Sequence, residues 1–226
     1  MSALHASGTA AVRRLLGALL LVGAAVILAN CAMPPAATES KSEAAVLPDV
    51  AANELRPVAA FSSIRDKHQR SLALLQEGGK VLQHPRCQNC HPAGDTPTQT
   101  NEMRLHRPLV VRGPDGHGAP GMPCTACHHA ANFDPAHVPG NPNWHLAPLS
   151  MAWQGKSLGQ ICEQIKDPAR NGQRTLAQIR EHMGHDSLVG WAWHPGGART
   201  PAPGTQAQFG ALIDAWVATG AACPAS

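Results

Sequence analysis

The 226-residue chain contains no tyrosine and only three phenylalanines, and aromatic residues make up 4% of it. So thin a supply removes much of the usual aromatic packing volume of a core. Strand signal, which leans on aromatic and β-branched residues, is weak throughout, so an all-β architecture is not expected. Charge is also scarce: 15% of residues are Asp, Glu, Lys or Arg, and the balance is +3. A surplus that small defines no partner by itself, and no nucleic acid is expected among the partners. What the chain has in plenty is histidine and cysteine, thirteen and seven respectively.

Four of the cysteines form two copies of Cys-x-x-Cys-His, Cys87-Gln88-Asn89-Cys90-His91 and Cys124-Thr125-Ala126-Cys127-His128. In c-type haem attachment both thiols add across the two vinyl groups, and the adjoining histidine ligates iron from below. Porphyrin geometry thus dictates both the pair spacing and the histidine position. A zinc ribbon would separate its pairs by about 15–20 residues, whereas 33 residues lie between these and a histidine follows each one. A thioredoxin-like redox pair should follow a strand in a βαβ pattern, and both motifs sit instead among Pro, Gly, Asn and Asp. Two covalently attached haem c groups are therefore expected, on Cys87, Cys90, Cys124 and Cys127, with His91 and His128 as proximal iron ligands. Cys87 and Cys124 are 37 positions apart, too close for each haem to own a self-standing domain. The haems should share one domain, lie near each other and supply apolar volume that the side chains lack.

The sixth ligand of each iron decides between a closed electron carrier and an open site for small-molecule chemistry. His117, in the turn-like string Gly113-Pro114-Asp115-Gly116-His117-Gly118, leads the candidates, with His106, His145 and His129 beside it. His129 directly follows a proximal ligand, a position from which it could reach the first iron. Met151 and Met183 are alternatives that would raise the potential. An enzyme with one open haem is the competing reading, with His182, His185 or Asp186 handling protons. The five tryptophans read as packing residues before electron relays.

The N-terminus carries Arg13-Arg14 and an apolar run from Leu15 to Ala29 that ends in Leu28-Ala29-Asn30-Cys31. Fifteen residues fall short of the roughly 20 of a comfortable span, so residues 1–31 read as a secretory signal ending in a lipobox-like cysteine. Asn30 departs from the small residue usual at that place, and cleavage without lipidation or an uncleaved anchor stand as alternatives. The expected address is periplasmic, with a lipid on Cys31 or an N-terminal anchor holding the chain to a membrane. Cys162 and Cys223 remain, and in an oxidising compartment they are disulfide candidates; two unrelated buried thiols are the alternative.

Residues 32–56 are rich in Ala, Pro, Ser and Glu and read as a flexible tether. Residues 57–226 have the length of one domain, expected to be mainly α with extensive irregular loops, a single compact dihaem cytochrome c-like domain. Helical periodicity marks Ala60–Val81, with Gly78-Gly79 loosening its end, and then Ser157–Lys166, Thr175–His182 and Thr205–Thr219. Between Pro85 and Pro148 the many Pro, Gly and Asn residues point to irregular backbone with short helical turns at the motifs.

Several longer strings resemble a bacterial family of small dihaem c-type proteins commonly labelled isoquinoline 1-oxidoreductase subunit. They are Arg56-Pro57-Val58-Ala59-Ala60-Phe61-Ser62-Ser63-Ile64-Arg65, His84-Pro85-Arg86-Cys87, Asp115-Gly116-His117-Gly118-Ala119-Pro120-Gly121-Met122, Asn132-Phe133-Asp134 and Cys162-Glu163-Gln164-Ile165-Lys166-Asp167-Pro168-Ala169-Arg170-Asn171-Gly172. The resemblance covers nearly all of the chain after the tether. It implies a molybdenum hydroxylase as redox partner, from which this chain would carry electrons to a respiratory acceptor. The label does not describe an activity of this polypeptide. Such a hydroxylase needs a molybdopterin subunit and iron–sulfur clusters on eight cysteines, and only three cysteines are spare here. An accessory subunit or haem sensor is a further alternative.

Overall fold

The computed structural model describes residues 47–226, so the expected signal segment, Cys31 and most of the tether lie outside the described residues. The described part is mainly α, with very little sheet. Its helices are α1 Lys67–Leu82, α2 Pro85–Gln88, α3 Leu158–Lys166, α4 Leu176–His185, α5 Ser187–Gly190 and α6 Gln206–Ala218. Two miniature antiparallel ribbons pair β1 Thr98–Gln99 with β2 Arg104–Leu105 and β3 Gly118–Ala119 with β4 Met122–Pro123. No helix among the described residues is long and apolar enough to cross a membrane.

The first helix starts later than its periodicity predicts. Val58–Phe61 forms a separate 3-10 turn, and the Asp66 side chain accepts from the Gln69 amide at 2.7 Å and opens α1 there. A side-chain cap of this kind satisfies one of the amides that lack a partner at a helix start. The break lets Phe61 turn into the core, where it is 1% exposed. Gly78 and Gly79 do not loosen the helix end, as the sequence suggested; both are buried inside α1. A Cβ on Gly79 would meet Leu158 Cδ2 at 2.8 Å, so the missing side chain is room for α3.

Helices α3 and α4 each begin with a reciprocal capping box, Ser157 with Gln160 and Thr175 with Gln178. α4 runs on to His185, three residues past its expected end, while Thr205 caps α6 through the Gln208 amide. α6 packs against both α1 and α4, and the α4 contact is glycine on glycine, because a Cβ on Gly210 would lie 2.8 Å from Gly184 Cα. Trp216, Phe209, Leu212, Ile213, Leu74, Leu75, Ile161 and Ile165 fill the space between the helices. A disulfide joins Cys162 of α3 to Cys223 of the C-terminal tail. The same tail meets α1, where the Ser71 hydroxyl accepts from the Ala222 amide at 3.0 Å.

The last residues read as tether also meet this framework. Leu55 is buried, and the Arg56 guanidinium reaches the Glu77 carboxylate at 2.7 Å. The stretch from Pro85 to Pro148 has little regular structure beyond α2, the two ribbons and 3-10 turns, in line with its composition.

Candidate functional site

The first motif hangs from the end of α1. Pro85 takes the first position of α2, where a missing amide hydrogen costs nothing, and α2 carries Cys87 and delivers Cys90 and His91 at its end. His91 Nδ1 lies 2.7 Å from the Met151 carbonyl oxygen. A carbonyl can only accept, so Nδ1 carries the proton and Nε2 keeps its lone pair, the tautomer that a metal ligand needs. The ring stacks on Trp153 at 3.5 Å and 8°. Burial pushes the His91 imidazole down to about 3 against the opposing pull of the Met151 carbonyl, which keeps it neutral.

Cys87, Cys90 and His91 line a cavity of about 640 Å³ whose other walls include Leu82, Ile179, Met183 and Phe209. Their surroundings hold both thiols protonated. Burial and then the neighbouring Cys90 push Cys87 up to about 12, and burial pushes Cys90 up to about 11. Arg86, Arg112 and Arg174 also line the cavity. Trp153 Nε1, Arg86 Nε and Arg112 Nε are buried donors with no acceptor among the described residues. An apolar slot edged by guanidinium groups and spare donors fits a flat apolar group bearing carboxylates, as haem does with its propionates.

The second motif is mounted differently. β4 leads into a 3-10 turn, Cys124–Ala126, and the Cys124 amide donates to the His117 carbonyl at 2.8 Å. Gly116 and Gly118 hold the turn at φ +88° and +98°, and a Cβ on Gly118 would strike the Met122 carbonyl oxygen at 2.6 Å. The turn expected to present a side chain thus also fixes the backbone of Cys124. His128 repeats the arrangement of His91: its Nδ1 donates to the Pro139 carbonyl at 2.7 Å, and Trp144 stacks on it at 4.6 Å and 17°. Burial lowers its pKa too, with the Pro139 carbonyl opposing.

The two motifs are neighbours. Leu146 donates to the Gly116 carbonyl at 2.9 Å, and the next residue, Ala147, donates to the Cys90 carbonyl at 3.2 Å. One extended stretch therefore staples the two motif loops together. An aromatic path also runs between them: Trp144, stacked on His128, meets Trp191 edge-on at 5.0 Å, and Trp191 lines the first cavity.

Of the four histidines suggested for the sixth positions, the structure separates three groups. His117 and His145 lie 5.0 Å apart and both line the first cavity. His106 lies 5.8 Å from His128. His129 is exposed and does not line the first cavity. Sequence reasoning passed over Arg112 and Arg174, and it named His182 and Met183 without placing them together. Ile179, His182 and Met183 occupy positions i, i+3 and i+4 of α4 and all line the cavity, so helical spacing alone could have grouped them. His182 Nδ1 lies 3.1 Å from Asp186 Oδ2. Burial would raise the Asp186 carboxyl, but the Leu188 amide and His182 outweigh it and hold it below the usual carboxylate range. His185 is exposed.

Among the described residues no three His, Cys, Asp or Glu side chains converge as a ligand set for a bare metal ion. The class that these observations define is a mainly α protein with two adjacent thiol–thiol–imidazole stations, one of them opening into an apolar cavity. No protein-family model, curated protein or solved structure matches the chain.

Proposed function

We propose that the chain is a dihaem c-type electron-transfer protein, with one haem on Cys87, Cys90 and His91 and the other on Cys124, Cys127 and His128, both within one compact domain. The observation that carries this reading is the repeated treatment of the two motif histidines. Each has Nδ1 tied to a backbone carbonyl, each has an indole stacked on its ring, and each is left with Nε2 as the free nitrogen. Two unrelated surface motifs would have no reason to share that arrangement, whereas an axial ligand needs its tautomer and ring orientation fixed. Haem, when bound, supplies a one-electron iron couple at each station. The residues around it position the group and exclude water, and the guanidinium groups of Arg86, Arg112 and Arg174 offset carboxylate charge.

Two one-electron stations match an upstream partner that releases two electrons per turnover. Hydroxylation of a carbon by water does so, giving the hydroxylated product, two electrons and two protons. That stoichiometry, together with the resemblance to proteins labelled isoquinoline 1-oxidoreductase subunit, supports a molybdenum hydroxylase as donor and a respiratory acceptor downstream. The setting in this reading is the periplasmic face of a membrane, reached by export and held through Cys31 or an N-terminal anchor.

His182, which lines the first cavity and pairs with Asp186 behind it, favours one second reading, in which the first iron is open and His182 moves protons. The test is the visible spectrum of the full chain matured with c-type haem machinery, oxidised and reduced, with and without carbon monoxide, calibrated as haem per chain. Two haems with no response to carbon monoxide are expected of the carrier. A response from one haem would favour the open-site enzyme, and fewer than two haems would overturn the dihaem assignment.

A further inference from the structure

The geometry points to His106 as the sixth ligand that closes the second iron, a step that rests on reading Cys124–His128 as a haem station. His106 follows β2, and its amide donates to the Pro97 carbonyl at 3.0 Å, so the ribbon fixes its backbone. Its Nδ1 lies 2.8 Å from the Pro108 carbonyl oxygen. As at His91 and His128, the carbonyl accepts from a protonated Nδ1 and leaves Nε2 free. The His106 and His128 ring centres are 5.8 Å apart with their planes at 64°, so the rings do not stack face to face. Imidazoles bonded on opposite sides of one metal, at roughly 2 Å per bond, have ring centres about 6 Å apart. The pair is spaced as two ligands of one iron would be.

The surroundings agree. Leu105 and Leu109, on either side of His106 in the chain, are 57% and 66% exposed, and Met122 and Phe133 near the motif are 49% and 57% exposed. Large apolar side chains concentrated around one station are what a macrocycle seated there would cover. The competitors are placed elsewhere: His117 and His145 belong to the first cavity, while the rings paired with His128 among the described residues are those of Trp144 and His106.

The experiment uses the full, haem-loaded chain as wild type, His106→Ala, His106→Met and, as a control, His129→Ala, with haem per chain measured on each. Two haems in His106→Ala, one of them converted to a high-spin, carbon-monoxide-binding form that added imidazole returns to low spin, is the expected result. His106→Met should instead keep that haem low-spin with a raised potential, since methionine ligation favours the reduced iron. The wild type should show a highly anisotropic low-spin ferric signal, because the two ligand planes are far from parallel. Two haems in His106→Ala with an unchanged spectrum, or the same conversion in His129→Ala, would overturn the assignment and leave the dihaem reading standing. Wild type with fewer than two haems would overturn the dihaem reading itself. Should neither His106 variant load the second haem, the wild-type ferric signal decides, and absence of any highly anisotropic component would count against His106.

Discussion

The two motif stations share their chemistry and differ in what supports them. His91 and His128 have the same carbonyl partner type, the same tautomer and the same stacked indole. Around the first, Leu82, Ile179, Met183 and Phe209 belong to helices α1, α4 and α6, of which α6 packs on both α1 and α4, and the three carry much of the core. Around the second there are two-residue strands, glycine turns at positive φ and exposed apolar side chains, and Cys127 is itself exposed. The ligand geometry is therefore local and can be repeated on either scaffold. The support is not local, and on the dihaem reading the second station would depend far more on its bound group for an apolar interior.

If each station holds a haem as proposed, the largest test of that difference is to delete the two haems in turn. Cys87→Ser with Cys90→Ser would empty the cavity of about 640 Å³ that α1, α4 and α6 line together with the loops at 112–117 and 145–149. The cavity is partly open to solvent and edged by charged side chains, so water would fill part of it, and the loss should still be a large share of a total domain stability of about 5–15 kcal/mol. This variant should lose cooperative thermal unfolding or collapse to another packing. Cys124→Ser with Cys127→Ser should keep one haem, the helical circular dichroism and a cooperative melt. Equal loss of helix signal in both variants would remove the distinction between the stations.

How much was legible beforehand follows the same line. The helices of the framework could be read because their signals are local: Ser157 with Gln160, Thr175 with Gln178, and the spacing of Phe209, Leu212, Ile213 and Trp216. Where tertiary packing decided, the sequence misled. Gly78 and Gly79 look like helix breakers until Leu158 of α3 is seen to need the space at Gly79 and α6 to pack on Gly78. The two Cys-x-x-Cys-His strings could be picked out by spacing, and the structure brings them close together. The grouping of the other histidines was not, since pairing His106 with His128 depends on a ribbon only two residues long on each side, below the length at which alternation carries any signal. His182 was within reach, and a helical reading of α4 as an inward face would have put it beside Met183.

A smaller and more selective blow falls on the framework alone. The Cys162–Cys223 disulfide spans a sequence separation of 61 residues, and closing a loop of that size stabilises by about 4 kcal/mol in the chain-entropy picture. The double Cys→Ser variant should lose about that much in a denaturant titration while both haem spectra stay unchanged. A change confined to the second haem's spectrum would argue that the tail supports that station instead.

Gly210→Val tests whether the framework reaches the first station mechanically. Its new side chain would press on Gly184, where α4 and α6 now touch backbone to backbone, and overpacking of this kind costs about 2–3 kcal/mol. His182 and Met183 are the residues just before Gly184, so displacement of α4 should shift the spectrum or potential of the first haem and leave the second alone. Redox titration with the two haems resolved reads this directly.

The mildest prediction concerns acid. The Glu77 side chain is 4% exposed and takes a 2.7 Å contact from Arg56 and a 2.6 Å contact from Lys80. Burial would raise its pKa, but the hydrogen bonds from Lys80 and Arg56 outweigh burial and hold it below the ordinary value. A carboxyl depressed in the folded state binds its proton more readily when unfolded. Its stabilisation is therefore complete above the unfolded pKa, roughly 4.3, and fades as pH falls through the lower folded value. Glu77→Gln keeps the shape and some of the hydrogen bonds, so the loss at neutral pH should be about 1.5 kcal/mol. The gap to wild type should close on acidification below about pH 4. Because Arg56 and Glu77 tie the chain before the 3-10 turn to α1 and touch neither station, the second haem's spectrum should follow the same pH course in both proteins. Denaturant midpoints measured across the acid range would show a gap that narrows if the ion pair acts as described, and a constant gap would mean that Glu77 contributes through shape rather than charge.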